Sequence, residues 1–239
     1  MVNKLKWQIK RQLGIKKFKI GHAGTLDPLA TGLLLVCVGK ATKRIDELQA
    51  GDKVYTGTIV LGATTPCFDL ERAIDAYYPT RHITPSLIEQ ARLQLTGEIE
   101  QVPPMFSAIK VAGQRAYQYA REGQPADIVP KRVTIHEFSI TALRNIDNPS
   151  DLTGTPLPTP SEEDATQLYR HPQGHVPEGL PQIDFRIRCS KGTYIRSIAR
   201  DMGLALDSGA FLAALRRESI GDYTVANALP IASNEDVAL

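Results

Sequence analysis

With 239 residues, 42% of them hydrophobic, and no apolar run near the length of a membrane span, the chain reads as a globular protein of one large or two small domains, not a membrane protein. No apolar h-region follows the basic N-terminus, so no secretory signal is visible and a cytoplasmic location is expected; three widely spaced cysteines, Cys37, Cys67 and Cys189, suit neither a disulfide framework nor a zinc site. The net charge of +2 conceals an asymmetry: residues 1–44 hold ten Lys or Arg against one acid, Asp27, while the other 18 basic residues face 25 acidic ones, and such a patch is the footprint of phosphate-backbone binding.

In chain order, Leu5, Ile9 and Leu13 recur at four-residue spacing with Lys4, Lys6, Lys10 and Arg11 on other faces, which predicts an amphipathic helix over 2–13 closed by Gly14. The string Gly21-His22-Ala23-Gly24-Thr25-Leu26-Asp27-Pro28-Leu29-Ala30-Thr31-Gly32 then runs into Leu33-Leu34-Leu35-Val36-Cys37-Val38. This apolar hexamer is short for a helix and bounded by Gly32 and Gly39, so it predicts a strand buried on both faces. Asp27 is thereby placed on a loop at the rim of the core, and Pro28 pushes it toward extended conformations. For an isolated Asp-Pro the plainer reading is an Asx turn in which the carboxylate caps backbone amides.

Residues 41–50 predict a short helix ended by Gly51, and 53–61 a strand with Tyr55, Gly57, Ile59 and Leu61 on one face. Residues 62–81, rich in Thr, Pro and Asp, predict a loop. Thr84 as N-cap and Pro85 in the first turn announce a helix that buries Leu87, Ala91 and Leu95 and stops at Gly97. The run Val102-Pro103-Pro104-Met105-Phe106-Ser107-Ala108-Ile109-Lys110 fits an edge strand, followed by a helix over 114–121. Residues 133–143 predict a strand whose phase shift between Ile135 and Phe138 implies a bulge.

Residues 144–182 hold seven of the 16 prolines and little apolar periodicity, which predicts a long, mobile insertion between two adjacent strands. Ile183, Phe185, Ile187 and Cys189 alternate with polar residues in a half-buried strand, so Cys189, like Cys37, reads as a small buried hydrophobe. Ile195, Ile198, Ala199, Met202 and Leu206 fall at core spacing on a helix, with Arg196 and Arg200 on another face. Residues 208–217 predict a second short helix, followed by a strand through Val225.

Three blocks together resemble the tRNA pseudouridine-55 synthase family (TruB), to which a guide-RNA-dependent branch is related: the string around Asp27, the Pro-Pro…Ser-Ala-x-Lys run with Lys110, Gly113 and Tyr117, and Cys189-Ser190-Lys191-Gly192-Thr193-Tyr194-Ile195-Arg196. The resemblance implies an α+β fold, with a mixed, largely antiparallel central sheet and flanking helices. It implies Asp27 as nucleophile, Tyr55 as the aromatic face for the base, and Tyr194 and Arg196 beneath the nucleophile. His22 matches a residue that splays the RNA loop, and Leu215 one that lines the uracil pocket. The expected activity is isomerisation of uridine 55 in the TΨC loop of tRNA, with a flipped-out base, no cofactor, no metal, and a monomeric enzyme.

The chemistry agrees with that reading: a carboxylate that attacks carbon must be ionised, and a nearby Arg keeps it so against the effect of burial. Residues 1–225 are then the catalytic domain and 226–239 a short tail too small for a C-terminal RNA-binding domain. The family's usual strand before residue 2, with its Lys-Pro and Thr-Ser motif, is expected to be missing. Two alternatives stay open. A non-catalytic tRNA-folding chaperone would keep the basic patch but tolerate loss of Asp27, and a guide-RNA-dependent synthase would need partner proteins.

Overall fold

The computed structural model describes residues 2–15, 17–150, 152–157 and 175–230. Its frame is a seven-stranded sheet built on β4 (Lys53–Leu61), β7 (Gly97–Gln101), β10 (Lys131–Arg144), β11 (Gln182–Cys189), β12 (Ala210–Ile220) and β13 (Tyr223–Thr224), in the order β13-β12-β4-β11-β10-β7. All of these pair antiparallel; the seventh strand, β2 (Thr31–Gly32), joins β12 in parallel, so the sheet is mixed and largely antiparallel as expected. Alternation along β11 buries Ile183, Phe185, Ile187 and Cys189 on one face. The expected bulge in β10 lies between Ile135 and Glu137, and it lets both Ile135 and Phe138 reach the same core.

One face of the sheet carries the main core. Ile59 and Leu61 of β4 meet Ile195, Ile198, Ala199 and Met202 of the helix at Ile195–Ala205. The helix at Pro85–Gln94 adds Ile88 and Ala91; Thr84 caps it by accepting from the Leu87 amide at 3.3 Å. Ala91 and Leu95 are buried as expected, but Ile88 is fully buried where Leu87 was expected, and Leu87 is exposed. Among the described residues the α-helices in chain order are α1 (Val2–Leu13), α2 (Ile45–Ala50), α3 (Pro85–Gln94), α4 (Ala116–Arg121) and α5 (Ile195–Ala205), with a 3-10 turn at Gly39–Arg44 leading into α2. α1 forms as its periodicity predicts, yet none of its residues is buried.

Further expectations are corrected. The hexamer 33–38 is not one strand buried on both faces: Leu33–Leu35 is irregular, and only Val36–Val38 (β3) pairs, with Ile20–His22 (β1), leaving Val38 exposed. Residues 208–217 are not a helix; their helix-forming Ala and Leu are overridden because β12 docks between β4 and β2, where Phe211 and Leu212 are buried against two different cores. The Pro103-Pro104 run is not a strand. The edge strand is β7, just before it, and Lys110–Val111 (β8) pairs with Gln114–Arg115 (β9) so that α4 starts at Ala116.

The loop 62–81 contains a small ladder, Ala63–Thr64 (β5) with Ala76–Tyr77 (β6). Much of the 144–182 insertion lies outside the described residues. Its described flanks are tied down: Leu180 is fully buried, Leu152 and Val176 pack on the second core, and the Ser150 amide bonds the Gly179 carbonyl at 3.0 Å. As expected, the strands it joins are neighbours, with Arg144 opposite Gln182.

Where β2 meets β12 the backbones touch so closely that a side chain has no room. Gly32 has φ +97°, and a Cβ there would lie 2.2 Å from the Arg217 carbonyl oxygen. Gly39 has φ +62° with open space around it. Gly32→Ala is expected to destabilise the protein by at least about 2 kcal/mol and Gly39→Ala by about 1 kcal/mol, because the first adds a backbone clash to left-handed strain. Urea unfolding of the two variants checks the ordering.

Candidate active site

Asp27 lies in a tight turn between β1 and β2, where the Ala30 amide bonds its carbonyl at 3.0 Å. Its carboxylate is not an Asx cap. Arg196, in the first turn of α5, grips it with two prongs, Nη2 to Oδ1 at 2.7 Å and Nε to Oδ2 at 3.1 Å. Among the described residues, Arg196 is the sole hydrogen-bond donor to that carboxylate. The Asp27 side chain is 33% exposed and Arg196 only 4%, so the carboxylate faces outward from a buried cation.

Arg196 is filled from every side. Nη1 donates to the Cys67 carbonyl at 3.1 Å, Nη2 also donates to the Phe106 carbonyl at 3.0 Å, and Nε lies 3.5 Å from the Asp69 carboxylate. Burial alone would lower the affinity of this guanidinium for its proton, but Asp27 and Asp69 outweigh it and raise the pKa above its ordinary value. Burial pushes Asp69 up, with Arg196 opposing. Glu71, whose Oε1 is buried without a partner, is pushed up to about 7, first by burial and then by the charge of Asp69.

A second arginine holds the loop that holds Asp27. Arg217 of β12 is 1% exposed and donates to three backbone carbonyls: Leu33 at 2.8 Å, Gly24 at 3.0 Å and Thr25 at 3.4 Å. The Leu33 amide in turn donates to the Arg217 carbonyl at 2.8 Å. Tyr55 lies opposite Arg217 across the β4–β12 ladder. Burial pushes its phenol up to about 12, with Arg217 opposing, so it is neutral at neutral pH and offers an aromatic face and a hydroxyl proton.

The other expected site residues make no hydrogen bond to Asp27 among the described residues. Tyr194 precedes α5, and the side chain of Gln101 grips its backbone from both sides, accepting from its amide at 2.8 Å and donating to its carbonyl at 3.1 Å. His22 ends β1, its Nδ1 buried and unpartnered. Leu215 packs on the main core from β12. It also lines a cavity of about 510 Å³ with Leu29, Thr31, Thr56, Thr58 and Asp184. That cavity is not a cleft around Asp27: Thr56 and Thr58 alternate with Tyr55 along β4 and face the other way, and neither Asp27 nor Arg196 lines it.

Sequence reading missed Asp69, Gln101 and Arg217. Asp69 sits in a segment read as plain loop, and Arg217 in one read as helix. In a strand the adjacent Arg216 and Arg217 alternate outward and inward, a signal that the helical reading erased.

The model of the TruB family pseudouridylate synthase (N terminal domain) matches residues 10–152. The tRNA pseudouridine synthase B of Flavobacterium johnsoniae is 49% identical over 236 residues, covering 98% of this chain and 88% of that protein. That of Phocaeicola vulgatus is 46% identical over 233 residues, covering 98% and 84%. Among solved structures, a chain of the "Crystal Structure of a Cbf5-Nop10-Gar1 Complex" superposes with a TM-score of 0.55 at 22% identity, over 93% of this chain but 46% of that one; this likeness speaks for the fold.

The raised Glu71 carboxyl has a consequence for stability. The folded protein holds a proton that the unfolded chain releases between 4.5 and about 7, so this group's contribution is full below that window and lost as pH rises through it. Glu71→Gln is therefore expected to flatten the fall in melting temperature across those pH values relative to wild type, measured by thermal unfolding at a series of pH values. An unchanged slope would show that Glu71 titrates normally.

Proposed function

Since this chain belongs to the TruB family of pseudouridylate synthases, we propose that it converts uridine 55 of the tRNA TΨC loop to pseudouridine, with Asp27 as nucleophile and the target base turned out of the loop. Isomerisation of a tRNA uridine rests on the family and on relatives 46–49% identical along nearly the whole chain. The role of Asp27 rests on the two-pronged contact with Arg196, which presents an outward-facing carboxylate at a fixed place.

The reaction breaks the N1–C1′ bond, turns the uracil, and joins C5 to C1′; the proton lost from C5 is balanced by one gained at N1, so composition and redox state do not change. Asp27 forms a bond to the substrate along the way and loses its charge while that bond lasts. Arg196, deep in the protein, then still has Asp69 at 3.5 Å to neutralise it. The cluster thus tolerates the intermediate without stranding a buried cation. Tyr55 offers a face on which an unstacked base recovers part of its lost stacking. The basic segment before residue 45 supplies charge for the RNA backbone.

The test is to incubate purified protein with unmodified tRNA, map pseudouridine by position, and repeat with Asp27→Asn. Modification confined to uridine 55 is expected, with Asp27→Asn inactive but binding tRNA within about threefold of wild type, since the basic surface is untouched. Turnover by the Asn variant would remove Asp27 from the role of nucleophile, and modification elsewhere would change the target.

A further inference from the structure

We infer that Cys67 is a positioning residue for the isomerisation: its thiol sets how Asp69 shares Arg196 with Asp27. The inference rests on the reading of Asp27 as nucleophile. Cys67 is fully buried, and its two polar groups reach the same cluster. Its carbonyl accepts from Arg196 Nη1 at 3.1 Å, and its Sγ donates to Asp69 Oδ1 at 3.0 Å. The thiol keeps its proton for that bond, because burial pushes it up to about 12.

The loop is built to hold this arrangement. Phe68, between Cys67 and Asp69, has φ +64°, a left-handed conformation that strains a bulky residue. Three contacts hold it there: the Leu212 amide donates to the Phe68 carbonyl at 2.9 Å, Asp69 bridges Leu212, and the Arg200 guanidinium lies 5.2 Å from the Phe68 ring centre. Thr65 Oγ1 adds a bond to the Asp69 carbonyl at 2.7 Å. The turn lets the Cys67 carbonyl and the Asp69 carboxylate face Arg196 together.

The consequence lies in one nitrogen. Arg196 Nε bonds Asp27 Oδ2 at 3.1 Å and sits 3.5 Å from Asp69 Oδ2, so the two carboxylates compete for it. Asp69 Oδ1 is occupied by the Cys67 thiol and by the Glu71 amide at 2.9 Å. Those donors fix the plane of the Asp69 carboxylate and draw off its charge, which leaves Nε closer to Asp27. Without the thiol, Asp69 is freer to turn and a stronger competitor, and Asp27 loses one prong of its grip.

The experiment compares Cys67→Ser, Cys67→Ala and Cys67→Val in single-turnover isomerisation of unmodified tRNA at saturating enzyme, together with tRNA affinity and thermal unfolding. Ser keeps a donor, Ala removes it, and Val removes it while keeping the volume. Ala and Val are expected to slow the step about five- to tenfold with affinity within about twofold, and Ser to stay within about twofold of wild type. Wild-type rates in both Ala and Val, a Ser variant as slow as Ala, or a loss confined to affinity would each overturn the inference. If Asp27→Asn turns over, or wild type does not, the nucleophile reading fails and takes the inference with it. With that control passed, a failure belongs to Cys67 alone.

Discussion

A guanidinium that is 4% exposed has to be neutralised where it lies, and Arg196 meets that requirement by drawing together segments far apart in the chain. Asp27 is 169 positions away, Cys67 129 and Phe106 90. Each supplies an acceptor that the buried cation needs, so the loops carrying them are pinned to the first turn of α5. Removing one acceptor leaves a donor of the buried guanidinium unmet in a poorly solvated place. Folding of this corner and presentation of the Asp27 carboxylate are therefore one condition, set by one side chain.

Arg217 works in a different way. Its partners are backbone carbonyls, and it fixes the path of the chain on both sides of Asp27. The two roles both exploit the planar, multi-donor head of arginine, which a lysine ammonium cannot reproduce. Arg217 depends on β12 being a strand in the register that places Tyr55 opposite it, so Tyr55 and the loop anchor are aligned by the same ladder.

Much of this was legible in the sequence because burial imposes periodicity. The alternation of β11, the phase slip in β10, and the core stripe of α5 all follow from one face being apolar. The contact between Asp27 and Arg196 was legible through motif resemblance and through the expectation that a nucleophilic carboxylate needs an arginine beside it. The rest depends on contacts that a local pattern does not encode. Ala-Phe-Leu-Ala-Ala-Leu favours a helix in isolation and becomes strand because β4 and β2 offer ladders on either side. Leu33–Leu35 is apolar yet irregular because Arg217 claims the Leu33 backbone. Asp69 and Gln101 are single polar residues whose meaning lies in partners more than 90 positions distant.

If Asp27 is the nucleophile proposed above, the fork between Arg196 and Asp27, and not positive charge alone, prepares its carboxylate. Arg196→Lys keeps the charge and removes the fork, so its single-turnover isomerisation of unmodified tRNA tests the claim most directly, with tRNA affinity and melting temperature measured on the same protein. The account predicts a rate at least about 100-fold below wild type, with affinity within about threefold. A folded Lys variant that isomerises tRNA within about threefold of the wild-type rate would contradict it.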